Sequence, residues 1–285
     1  MIELVKPTQR FNRRNILRLM LAGAAGSVAN GFWIEPGRLS ITRQDVSCKK
    51  LPPGLDGLRI GLIADLHYRP DQDAGLLEDV VARIRQEKPD IIALAGDYIS
   101  ADPGVITPML ECLGNMNATQ GIFAVMGNHD GWAGNAAVIR RQFEKAGITF
   151  LINQHSIVSI RGESLAVAGT DFVWLGRPDP VKTMRGISKN TPILALVHEP
   201  DYFDTMCAAR EVTLQLSGHT HGGQCRVPLF DVAPKTVKHG RKYVYGNFSN
   251  EDSRLFVTRG VGTSGPRLRF ACPPELAILT LRASS

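Results

Sequence analysis

The chain has 285 residues, 44% of them hydrophobic and 21% charged, with a formal net charge of +6. That balance is ordinary for a globular protein and supplies a sizeable core without covalent staples. Its five cysteines, Cys48, Cys112, Cys207, Cys225 and Cys272, are odd in number, scattered and free of any C-x-x-C pair, which argues against a disulfide framework or zinc ribbon and leaves buried or idle thiols.

The charge sits mostly at the start. Lys6, Arg10, Arg13, Arg14 and Arg18 stand against Glu3 alone in residues 1–29, giving +4 there and +2 for the rest. The body has no basic stripe interleaved with aromatics, so nucleic acid is not an expected partner. The segment QRFNRRNILRLMLAGAAGSVANGFW places a basic region before an apolar run rich in Ala and Gly, the layout of an export signal. Arg18 leaves about fifteen residues from Leu19 to Trp33, fewer than the ~20 a spanning helix needs. Arg13-Arg14 followed by Asn15-Ile16-Leu17 resembles a twin-arginine signal, with Asn12 where Ser is usual and Ile16 where Phe is usual. Ser27-Val28-Ala29 is a small-x-small cleavage site; uncleaved, the segment is an anchor with its arginines on the cytoplasmic side. A plain amphipathic helix is the alternative. Residues 1–33 are therefore expected to be a signal or anchor, 34–50 a connecting segment, and 51–285 a single catalytic domain.

After the turn-rich LPPGLDGL, three short apolar runs read as strands buried on both faces: LRIGLIAD, DIIALAGD and GIFAVMGN. Between the first two, Leu76, Leu77, Val80, Val81 and Ile84 fall at helical spacing, and Pro89 ends that helix. GVITPMLECLGNMN and NAAVIRRQFEKAG predict two more helices, the second stopped by Gly147. SIVSIRG and SLAVAGT predict a hairpin turning at Arg161-Gly162-Glu163. PILALVH and VTLQLSG are again buried-type strands, with the helix-like PDYFDTMCAAR between them. RKYVYGNF, RLFVTRG and ELAILTLR complete the strands. Strand–helix alternation of this kind predicts an α/β fold.

Five of the strands end in polar clusters: Asp65 and His67; Asp97; Asn128, His129 and Asp130; His198; His219 and His221. Ligands of α/β sheets bind beyond the carboxyl ends of strands, so these clusters are expected to converge. Five of the seven histidines belong to them; His155 and His239 are read as surface or loop residues. Singly, each cluster has a plain reading: Asp97 as a helix cap, Asn128 as a turn residue, His198 as a strand-end histidine. Together they form a mixed nitrogen and oxygen set without thiolate, which suits Mn, Fe, Zn, Co or Ni. Seven donors exceed what one catalytic ion with an open position takes, and suit two divalent ions sharing a carboxylate, able to clamp a phosphoryl centre. Residues i and i+2 of an extended chain point the same way, so Asp65 and His67 are expected to meet one ion, and His219 and His221 to approach a pair. Gly127 and Gly218 are expected to let the backbone turn tightly into the site. His129 is expected to act on the leaving group, with Asp130 orienting it.

The ordered pattern D-x-H, G-D, G-N-H-D, H, G-H-x-H over residues 58–224 resembles the calcineurin-like metallophosphoesterase superfamily. The resemblance implies a four-layer αββα sandwich of two mixed sheets. It implies a first ion held by Asp65, His67, Asp97 and His221, a second held by Asp97, Asn128, His198 and His219, and attack on phosphorus by a metal-bridging hydroxide. The stretches SGHTHGGQ and GVGTSGPRLRFACPPELAILTL look like a bacterial membrane-associated phosphodiesterase branch, in which twin-arginine-like N-termini are frequent. On that likeness Arg267 and Arg269 are candidate phosphate contacts, with a solvated pair near a strand start as the alternative.

The expected activity is hydrolysis of a phosphodiester, with lipid- and nucleotide-linked esters as the candidate substrates, by a protein at the inner membrane or exported to the periplasm. Some relatives of the branch cleave the pyrophosphate of UDP-2,3-diacylglucosamine in lipid A synthesis; that substrate would put the domain at the cytoplasmic face instead. A metal amidohydrolase fits less well, because its H-x-H usually lies on the first strand. An inactive metal-stabilised binding module is the alternative from outside enzymes.

Overall fold

The computed structural model describes residues 12–227 and 237–284. Two six-stranded sheets carry the chain. The first has strand order β1 (Ser40–Lys49), β12 (Glu275–Ser284), β2 (Arg59–Ile63), β3 (Ile91–Leu94), β4 (Ile122–Ala124), β5 (Thr149–Phe150). Its pairings are parallel except β12 against β2. The second has the order β10 (Gly246–Asn250), β11 (Ser253–Val257), β9 (Leu214–Ser217), β8 (Ile193–Leu196), β7 (Glu163–Gly169), β6 (Gln154–Ile160). It is antiparallel only at its two edges, β10–β11 and β6–β7.

Strand period two sorts the apolar side chains into layers. Ile60 and Leu62 of β2, Leu194 and Leu196 of β8, and Ala277 and Leu279 of β12 meet in the core between the sheets. Their neighbours Ile63, Leu276 and Ile278 face outward onto α2 (Pro70–Glu87), α3 (Ile106–Leu113) and α5 (Ala136–Lys145). On the far side Ile193, Ala195 and Val197 pack with Met184 of α6 (Pro180–Met184) and Met206 of α7 (Phe203–Ala209). The order is thus helix, sheet, sheet, helix, the four-layer sandwich implied by the resemblance.

The elements fall near their expected places. Helix α2 begins at Pro70, earlier than the apolar spacing alone indicates, because Pro fits the first helical position and Asp71 and Asp73 suit its first turn. It ends with Lys88 in a left-handed cap. The β6–β7 turn pairs Ile160 with Glu163, so its two central residues are Arg161 and Gly162, both at positive φ, as tight hairpins require.

One element departs from expectation. Residues 40–49, within the predicted connecting segment 34–50, form β1, whose ten residues pair in parallel with β12. Its sequence SITRQDVSCK carries polar residues on an exposed edge and lacks the continuous apolar run of a central strand. The preceding helix α1 (Arg13–Ala29) starts at the N-cap Asn12 and buries none of its residues. Leu17, Leu19, Met20 and Leu21 are all exposed on it. Among the described residues no helix is long and apolar enough to cross a membrane.

Glu275, fully buried at the start of β12, joins the edge strand to the loops beyond β11. Its carboxylate accepts from Thr42 Oγ1 (2.5 Å), Thr258 Oγ1 (2.7 Å), and Arg259 N and Nη2 (3.0 Å each). Removing one partner of a buried ion pair typically costs 3–5 kcal/mol. Glu275→Ala is therefore expected to lower unfolding free energy by about 3–5 kcal/mol in a urea titration; a loss under about 1 kcal/mol would mean this network adds little.

Candidate metal centre

The five polar clusters lie at the carboxyl ends of strands from both sheets. Asp65 and His67 follow β2, Asp97 follows β3, and Asn128 opens α4 (Asn128–Ala133) after β4; His198 follows β8, and His219 and His221 follow β9. Because the sheets face one another, these ends meet, and two loop contacts stitch them. His198 Nδ1 lies 2.7 Å from the Ala95 carbonyl, and Asp65 Oδ1 accepts from His219 N at 2.8 Å.

Three groups of ligand-type side chains result: Asp65, His67 and His221; His67, Asp97 and His129; Asp97, His198 and His219. Asp97 lies between the others. Its Oδ2 is 3.1 Å from His198 Nε2 and 3.5 Å from His67 Nε2, while Oδ1 accepts from His129 N at 2.8 Å. His219 and His221 diverge, one toward His198 and the other toward His67.

The backbone achieves this differently from the extended geometry expected for the D-x-H and H-x-H pairs. Asp65, His67, Asp97, His219 and His221 all have φ between 41° and 73°, in the left-handed region. Such conformations cost of order 1–3 kcal/mol each for non-glycine residues and persist where surrounding contacts over-determine them. The two glycines also act otherwise than expected. Gly127 and Gly218 do not have positive φ; they permit close approach. A Cβ on Gly218 would sit 2.6 Å from Asp65 Oδ2, and one on Gly127 would collide with the Asp97 carboxylate.

The donors suit divalent cations. Asp65 Oδ2 and Asn128 Oδ1 are buried without a hydrogen-bond partner, an arrangement costing about 1–3 kcal/mol per atom if nothing compensates. His67 and His221 bring their Nε2 atoms within 3.1 Å of each other. With metal–nitrogen bonds of ~2.1 Å, that separation subtends about 95° at a shared ion. Hydrogen bonds on the far side of the rings fix which nitrogen faces inward: His67 Nδ1 to Ser100 Oγ, 3.1 Å; His198 Nδ1 to the Ala95 carbonyl; His219 Nε2 to the Lys238 carbonyl, 2.7 Å.

Electrostatics agree. Burial pushes the His67 pKa down to about 4 against the pull of Asp97, and the His219 pKa to about 3. Burial lowers His221 as well, with His67 adding to it. These rings are neutral at pH 7 and keep a lone pair for a cation. Burial, aided by the Asp97 charge and opposed by His198, raises the Asp65 carboxyl to about 7. Burial alone would disfavour charge on Asp97 and His198, but their mutual attraction wins: Asp97 is lowered and His198 raised.

His129 is half-buried, with Nδ1 3.1 Å from the Ser100 carbonyl and its ring edge-on to His67. Asp130 does not orient it. The Asp130 carboxylate instead accepts from Asp97 N (2.9 Å), Tyr98 N (2.8 Å), Ile99 N (3.2 Å) and Gly127 N (2.9 Å), bracing the loops that carry Asp97 and Asn128. At the third position of α4 its side chain caps the helix and is committed to backbone N–H groups instead of the His129 imidazole.

The arginine expectation also changes. Arg269 is fully buried, neither a phosphate contact nor a solvated residue; its guanidinium donates to the carbonyls of Arg259, Gly260, Gly262 and Cys272. Arg267 leans toward Asp73, 3.6 Å away. Of the other two histidines, His155 is half-buried on edge strand β6 against the Thr183 carbonyl, and His239 lies in the loop next to Lys238. Ser100 and Glu199 also support the site, Ser100 through His67 and Glu199 through the backbone N–H groups of Val173 and Trp174. Neither sits in a recognisable motif, although Glu199 adjoins His198.

A model of the calcineurin-like phosphoesterase family matches residues 58–223. The chain belongs to this family. It is 33% identical over 283 residues to the phosphodiesterase YaeI of Escherichia coli, covering 95% of this chain and 99% of that one. It is 30% identical over 288 residues to the metallophosphoesterase YkuE of Bacillus subtilis, covering 97% and 100%. Among solved structures it is similar to the NAD nucleotidase of Haemophilus influenzae, with a TM-score of 0.50 at 17% identity over 72% of this chain and 45% of that one; this likeness concerns the fold. The protein is a metal-dependent phosphoester hydrolase, and its donor set fits two divalent ions.

Two outcomes are expected. Mn²⁺ binding measured by calorimetry should weaken between pH 8 and pH 6, because Asp65 takes up a proton near 7 that an ion must displace; equal affinity at both would count against this site. Asp130→Ala, which orphans four buried N–H groups, should unfold at markedly lower temperature than His129→Ala, whose ring makes a single, exposed hydrogen bond. Equal melting temperatures would refute the bracing role.

Proposed function

We propose that the protein is a dinuclear phosphodiesterase. The observation that carries this is the single Asp97 carboxylate lying between two donor groups, one with Asp65, His67 and His221, the other with His198 and His219. Asn128, with its buried Oδ1 unpartnered, joins the second. When bound, the two ions would supply a hydroxide nucleophile at neutral pH and positive charge facing the phosphoryl oxygens.

The chain's own residues do the rest. The Ala95 and Lys238 carbonyls, which can only accept, select the nitrogens of His198 and His219 that carry a proton, and Ser100 Oγ orients the His67 ring. His129 donates Nδ1–H to the Ser100 carbonyl, so the proton it has to give to the departing oxygen is the Nε2–H of the doubly protonated ring, which is left neutral. The buried donor side chains lower the local dielectric and so strengthen charge interactions at the reacting phosphorus. A diester is favoured by the likeness along the whole chain to a phosphodiesterase.

We further propose that α1 tethers the enzyme at a membrane or routes it through twin-arginine export. Arg13, Arg14 and Arg18 beside the exposed Leu17, Leu19, Met20 and Leu21 support this: the apolar side chains suit the interface and the arginines anionic headgroups.

The test is turnover of bis(p-nitrophenyl) phosphate by purified protein with Mn²⁺. His129→Ala should lower kcat by about 10²-fold or more, and Asp97→Asn should abolish turnover along with the stoichiometry of two ions per chain. A protein that binds metal yet turns over no diester, monoester or nucleotide pyrophosphate would instead be a binding module.

A further inference from the structure

An aromatic wall stands beside the donor cluster, and neither the metal site nor the chemistry uses it. Trp132 lies one helical turn after His129 on α4, ring centroids 5.0 Å apart. Trp174 meets it edge-on at 4.8 Å, and on its other side approaches His219 at 6.4 Å. Trp132 is 43% exposed and Leu175, next to Trp174, 78% exposed. An exposed indole backed by a half-buried one is unusual beside so polar a centre, and exposed apolar patches of this kind mark binding surfaces.

The wall is built to stay in place. Glu199, fully buried and adjoining His198, accepts from Val173 N and Trp174 N, both at 2.9 Å. Asp171 accepts from Phe172 N and Arg177 N, and the Phe172 ring packs on Gly131 of α4, where a Cβ would collide with it. Leu175 is held at φ 77°, an uncommon conformation for a branched residue. The loop 171–177 and α4 thus form one unit that presents two indoles at right angles, from the His129 side to the His219 side.

We propose that Trp132 and Trp174 bind a flat ring on the substrate's ester group, making the site selective for phosphodiesters with an aryl or heteroaromatic substituent. The inference rests on the phosphodiesterase reading. A ring lying against one indole meets the other edge-on, both favourable aromatic arrangements. Its phosphate then points to the donor cluster, with His129 next to the ester oxygen. Lys238, whose Nζ is 5.8 Å above the Trp174 ring, adds positive charge beside the wall for an anionic ligand.

The test uses the Mn²⁺-loaded, full-length protein and two phosphonates that differ only in the group the wall would hold. Phenylphosphonate should bind about 3- to 10-fold more tightly than methylphosphonate by calorimetry, the size of one aromatic contact, and should quench tryptophan fluorescence where methylphosphonate does not. In Trp132→Ala and Trp174→Ala the ratio of the two dissociation constants should fall to near one. Trp132→Leu, which keeps bulk but loses the flat face, should behave like the alanine variant. Equal affinities in the unaltered protein, or a ratio that survives both substitutions, would overturn the wall alone. Failure of both phosphonates to bind would overturn the phosphodiesterase reading together with it.

Discussion

The Asp97 carboxylate is the constraint on which the site depends. One oxygen accepts from the His129 backbone; the other faces His67 and His198, which come from different sheets. Its own N–H is held by Asp130, and the glycine before it and Gly127 leave no room for side chains. Loops after β2, β3, β4 and β8 therefore settle around one buried negative charge. In so dry a location that charge is tolerable only when paired, which is why the imidazoles point inward and the carboxylate accepts no water-facing role.

The segment before the first strand is also part of the site's support. Glu35 is buried, its Oε1 accepting from Cys272 N at 2.5 Å, and the Cys272 thiol lies 3.3 Å from the His221 carbonyl. Arg269 N donates to the Gly31 carbonyl. The stretch that leaves α1 is thereby fastened behind the loop bearing His221. Fully buried Arg269 continues the same wall by holding the carbonyls of Gly260 and Gly262, whose backbone crowds Asp65 and Leu66.

Much of this was readable in the chain. Apolar runs bounded by Gly, Pro and Asp marked the central strands, because strands buried on both faces need continuous hydrophobicity. The polar clusters at their ends marked the donors, since few other arrangements require so many histidines and carboxylates after strands. What escaped reading was edge, angle and contact. β1 is half-polar because it lies at an edge. Asp130 and Arg269 carry charges whose partners are backbone groups, and a sequence does not display where carbonyls and N–H groups converge. The left-handed backbone at Asp65 and His67 is likewise a tertiary effect, contrary to the local preference of those residues. Trp132 and Trp174 are 42 positions apart and become neighbours only when the loop after β7 packs on α4.

The most direct test of the two-ion account is a crystal of the protein grown with Mn²⁺ and measured for anomalous scattering. The account predicts two peaks per chain, one against Asp65, His67 and His221 and the other against Asn128, His198 and His219, both in contact with Asp97. A single peak, or a pair that does not share Asp97, would contradict it.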